Sequence, residues 1–200
     1  MKLALIGRIA GVLALTMGLA ACVDMTEEIN IESETNAKAT MTMTMASDVY
    51  SMMKSADTAS TKPEDKFCAK DGEKLTENSD GSATCVATSE GTFADLKFDE
   101  GDSKPAFTVI SPGVVRAAFP TKDMAGSLGK DNSDPQTAAM MKQMFDGHFV
   151  TIRISGKSIS DTNMTLNADK TAAEIKIPFL DLINGTAKLP DELYAVVSTN

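Results

Sequence analysis

Residues 39–45, Ala-Thr-Met-Thr-Met-Thr-Met, alternate without a break between apolar and polar side chains. A period of two is the signature of a β-strand with one dry face and one wet face, here with Met inward and Thr outward. Upstream, Val23, Met25, Ile29 and Ile31 fall at odd positions with mostly polar residues between them. That is a second half-buried strand. Ser33-Glu-Thr-Asn36 separates the two and is turn chemistry, so the pair is expected to form a hairpin.

Working outward, Ser47 is an N-cap residue type, and Val49, Met52, Met53 and Ala56 follow the i, i+3, i+4, i+7 rule. The spacing predicts an amphipathic helix over 47–56. Residues 106–110 and 114–119 flank Ser111-Pro-Gly113, a hairpin signal. Asp134-Pro135 opens a second predicted helix, which runs through Ala138, Met141, Met144 and Phe145 to about Gly147. Further strands are expected at 84–88, 149–154 and 193–198, with a hairpin pairing 163–166 and 172–177. Residues 92–98 fit either a helical turn or a strand, and 179–183 a short helix or turn. The expected fold class is α+β: one domain over 22–200, a mostly antiparallel sheet with two amphipathic helices packed on one face.

The start of the chain carries an address. Lys2 and Arg8 supply positive charge, residues 9–19 are apolar apart from Thr16, and Leu19-Ala-Ala-Cys22 follows. The apolar run is shorter than the roughly 20 residues of a settled transmembrane helix. Leu-small-small-Cys is the lipobox of bacterial lipoprotein signals. Residues 1–21 are therefore expected to be a signal peptide and Cys22 the lipidated first residue of the mature chain. Two or more acyl chains, at about 0.8 kcal/mol per buried CH₂, anchor firmly. Val23 stands where Asp commonly retains a lipoprotein at the inner membrane, which points to the outer membrane, facing the periplasm. No second hydrophobic span follows, so the remainder reads as a water-soluble body.

With Cys22 consumed by lipid, Cys68 and Cys85 remain. An even pair in an exported chain is expected to be a disulfide. Closing the polar 68–85 loop is worth about 3 kcal/mol in the chain-entropy model. The rival reading is a redox or metal pair, but there is no C-x-x-C and no nearby His.

Net charge is −9, and loss of Lys2 and Arg8 with the signal takes it to −11. Acidity of this size repels phosphate backbones, so no nucleic-acid partner is expected. His148 is the sole histidine, which excludes a multi-His metal site in one chain, and its place after the second predicted helix suggests contact with that helix's terminal carbonyls. Acidic loops at 99–102 and 131–134 lack EF-hand spacing. There is no Gly-x-Ser-x-Gly elbow and no phosphate-cradling glycine pattern. The chain is expected to be no enzyme and to need no metal or cofactor.

The 13 methionines and the absence of Trp imply an adaptable interior. Met41, Met43 and Met45 on one strand are expected to face Met52 and Met53 on the next helix, and Met140, Met141 and Met144 add a second cluster. These clusters are either core filling or the lining of a pliable apolar site for an acyl chain or apolar peptide, whose candidate residues are Met41, Met43, Met45, Met52, Met53, Met141 and Phe145. A methionine copper site is a third reading, but Met–Thr alternation is a β period rather than a ligand cluster.

The layout resembles the LppM-type domain of bacterial lipoproteins. The resemblance rests on Cys22 followed at once by the 23–31 strand, on the 37–45 strand leading into the 47–56 helix, and on 158–163 and 172–177 before a closing Leu193-Tyr-Ala-Val-Val197. The chain departs from that pattern in its 68–85 insert and in lacking a Trp in the penultimate strand. The resemblance implies an envelope-facing α+β domain and, loosely, lipid or glycolipid recognition. The functional expectation is a lipid-anchored, non-enzymatic module that binds an apolar envelope ligand. The alternative is a structural or assembly accessory that binds an envelope protein.

Overall fold

The computed structural model describes residues 23–57, 67–70, 72–96, 104–122, 124, 142 and 145–200. The signal segment, Cys22, Met141 and all but a few residues of the second predicted helix lie outside them.

The hairpin expected from the alternating residues is present. β1 (Val23–Ile31) and β2 (Asn36–Met45) pair antiparallel through Val23↔Met45, Met25↔Met43, Glu27↔Met41, Ile29↔Ala39 and Ile31↔Ala37. The turn between them is closed by Ser33 Oγ, which accepts from the Asn36 N–H at 2.9 Å. α1 (Ser47–Asp57) follows, and its first-turn Asp48 carboxylate accepts from the Val49 N–H.

Next come β3 (Glu73–Glu77), β4 (Ala83–Thr92), β5 (Ala106–Ser111) and β6 (Val114–Pro120). They are followed by β7 (Phe149–Ser155), β8 (Ser158–Thr162), β9 (Thr165–Leu166), β10 (Ala172–Pro178), the short helix α2 (Phe179–Ile183) and β11 (Glu192–Ser198).

These strands build two sheets, one of order β3-β4-β2-β1-β7-β10-β9 and one of order β5-β6-β11-β8. This corrects the expected α+β class. The described chain is mostly β, and the inner face of the large sheet is covered chiefly by the small sheet rather than by two helices. The reason lies in β6 and β11. Val115, Ala117 and Phe119, with Leu193, Ala195 and Val197, make a second apolar face that must be buried against something. It closes on Ile29, Ile31, Ile152, Ile154 and Ile177 of the large sheet to form the main core. Among the described residues only α1 is longer than five residues, and it packs by itself over one corner.

The sheets are mostly antiparallel, as expected. The exception is central: β1 and β7 run parallel, Met25↔Val150 to Asn30↔Ser155. Their outward faces are joined by Arg153, which donates to Glu28 on one side and Glu174 on the other, while Ser155 Oγ donates to Glu28.

Candidate functional site

Strand register places the methionines in rows across the inner face of the large sheet. At one end lies Ala83–Met45–Val23, and next to it Cys85–Met43–Met25–Val150. Then comes Ala87–Met41–Glu27–Ile152, and beyond it Ser89–Ala39–Ile29–Ile154.

The outer rows are sealed. Val23, Met45 and Ala83 are buried beneath Val49 and Tyr50 of α1 in a small core of their own. Ile29, Ile154 and Ala39 are buried in the main core. Between the two cores, Met25, Met41, Met43 and Glu27 are only half-buried. Met25 packs against the main core and Met43 against the small one. Phe145 touches both and stacks on Phe179 with ring centroids 4.7 Å apart. The seam between the cores is thus a methionine strip flanked on one side by Ala87 and Cys85 of β4.

The expected site residues therefore separate. Met41, Met43 and Met45 share one face, with Met45 sealed. Met53 packs against the small core. Met52 points away from the sheet and is 71% exposed, because on α1 the face made by Val49, Tyr50 and Met53 is the one turned inward. Phe145 joins the strip, and Met141 is outside the described residues. Glu27 was missed. Its odd position in β1 was the available signal, since residues 23, 25, 27, 29 and 31 must share a face.

Cys68 and Cys85 form the expected disulfide, with Cα atoms 5.6 Å apart. Cys85 is the residue opposite Met43, so the bridge straps residues 67–70 beside the strip. Glu73 lies near both sulfurs, but sulfurs bonded to each other are not thiolate ligands. The His148 ring is buried against the Asp24 carboxylate, while its backbone N–H donates to the Phe145 carbonyl at 3.2 Å.

The titration shifts lie elsewhere and have local causes. A hydrogen bond from Lys54, then one from the Tyr50 hydroxyl, hold the Glu77 carboxyl below the usual glutamate range. The hydrogen bond to Asp161 holds the Tyr194 hydroxyl above its ordinary value. No described helix is long and apolar enough to cross a membrane.

No family model and no curated protein matches the sequence. Among solved structures, the chain is similar to the NMR structure of the folded domain of Mycobacterium tuberculosis LppM. The two are 13% identical with a TM-score of 0.48, over 89% of this chain and 90% of that one.

Proposed function

We propose that this chain is a lipid-anchored envelope lipoprotein, processed at Cys22 and facing the periplasm from the outer membrane. It acts without catalysis, by holding an apolar envelope ligand on the strip of Met25, Met41 and Met43. The observation that carries this reading is the half-burial of that strip between two sealed cores. Methionine side chains adapt to a flexible apolar partner at little cost in strain. Glu27, set in the same row as Met41, places a carboxyl beside the strip and disfavours an anionic headgroup.

Chain length supports the placement. Met25 stands three residues along the chain from Cys22, a reach of about 10 Å at most. A ligand drawn from the bilayer has a short way to travel. The alternative, an accessory that binds an envelope protein, draws its support from the exposed Met52 on α1.

Native mass spectrometry of the full processed chain, released from membranes in mild detergent, tests the proposal. The expected spectrum shows the acyl adduct on Cys22 plus uptake of dioleoyl phosphatidylethanolamine, with the uptake lost in Met43→Glu. An acylated chain that takes up no lipid overturns the ligand reading. A chain without acyl mass overturns the anchor.

A further inference from the structure

The two sheets expose four edge strands, and three of them are built to refuse a neighbour. β3 carries Glu73, Lys74 and Glu77 within five residues. β9 is two residues long. β8 is polar, and the sheet beside it is broken by a bulge between Val196 and Val197. Short length, charge and bulges are the ordinary defences of a sheet edge.

β5 has weaker ones. Its sequence is Ala-Phe-Thr-Val-Ile-Ser, six residues without a charge, with Val109 48% and Ile110 53% exposed. It pairs with β6 on one side and with no described strand on the other. Its one irregularity is a bulge at the turn end, between Val109 and Ser111, which leaves 106–109 in regular register.

The edge is also held rigid. Phe107 stacks on Phe93 at 4.3 Å, the Gly113 N–H donates to Glu34 of the β1–β2 turn, and the Thr199 N–H donates to the Gly113 carbonyl at 2.8 Å. A preformed edge loses little conformational freedom when a strand adds to it.

We infer that β5 is a strand-addition site whose occupant is the β5 of a second copy, so that two small sheets join into one eight-stranded sheet. Self-pairing fits the residues. Phe107 and Val109 face the core side opposite Ala117 and Val115. A continuous sheet must keep that side, which an axis through Phe107, Thr108 or Val109 would do; the axis through Thr108 pairs 106–110 and leaves Ser111, beyond the bulge, outside the ladder. Thr108 then meets Thr108, Phe107 meets Val109 on both sides of the axis, and Ala106 meets Ile110. No charge opposes a like charge, although the chain as a whole is strongly acidic. Pro105 and Pro112, which have no N–H to donate, bound the strand at both ends. The pairing window is therefore the length of one β5. Because the contact is two-fold, it uses up the edge on both copies and stops at a dimer.

Cross-linking of the full chain in its native membrane tests the inference. Residues opposed across an antiparallel ladder have Cα atoms about 4.5–5.5 Å apart, within disulfide reach. Thr108→Cys should give a reductant-sensitive dimer as the main species, and Lys74→Cys on the β3 edge should not. Adding Ile110→Lys to Thr108→Cys should reduce the dimer at least tenfold. The unaltered chain in detergent should sediment as a dimer, and the Ile110→Lys chain as a monomer. Equal cross-linking from both cysteines, capture of a different protein by Thr108→Cys, or a monomer in sedimentation at about 100 µM would each overturn it.

Discussion

Nδ1 of the buried His148 lies 3.2 Å from Oδ1 of Asp24, and the same oxygen accepts the Phe149 N–H at 3.0 Å. Neither ring nitrogen makes a well-aligned hydrogen bond among the described residues, so the link is a close polar contact rather than a directed bond. It fastens the start of β7 to the second residue of β1.

Asp24→Ala removes the one carboxylate oxygen that serves both the buried His148 ring and the Phe149 N–H. The expected loss is about 1–3 kcal/mol in urea unfolding. Asp24→Asn keeps an oxygen in place and should lose less. If the two variants prove as stable as the parent, the contact contributes nothing.

The disulfide is expected to act through the unfolded chain. Cys68 and Cys85 are 17 residues apart, and opening a loop of that length costs about 3 kcal/mol. Replacing both cysteines by Ser should lower the unfolding midpoint accordingly. Because the bridge straps 67–70 beside Met43, its loss should also speed amide exchange in β3 and β4 more than in β6 and β11. Uniform exchange changes in both sheets would contradict this placement.

Acid should loosen α1 before it unfolds the sheets. Lys54 and Tyr50 of α1 both donate to Glu77 of β3, and these bonds lower the Glu77 pKa from 4.5. A carboxyl depressed in the folded state stabilises above its ordinary pKa, and that contribution is lost as pH falls from there through the folded value. A carbon-detected NMR titration should place the Glu77 midpoint below 4.5. Lys54→Met should bring it most of the way back. The ion pair is fully exposed, so the effect on global stability should be slight. An unchanged midpoint in Lys54→Met would show that the pair does not persist in solution.

Several features were legible without coordinates because each is a local or arithmetical matter. Alternation in 23–31 and 39–45 states which side chains share a face, and a four-residue turn leaves those strands little choice but to pair. Once Cys22 is set aside, Cys68 and Cys85 have one way to combine, and they form that bridge.

Only the tertiary structure decided the rest. The apolar runs at 114–119 and 193–198 read as strands, but they carry nothing about which sheet those strands join. That choice depends on how two apolar faces best exclude water from each other, a sum over residues far apart in the chain. The parallel contact of β1 with β7 is of the same kind, since no turn dictates it. β3 escaped notice because its charges hide any alternation at an exposed edge. Glu27 is polar at a position where the strand's inner face is otherwise apolar, and only the pairing sets it between Met41 and Ile152 in the candidate site. Side-chain direction is set by the backbone two residues at a time, whereas burial is set by what arrives from elsewhere.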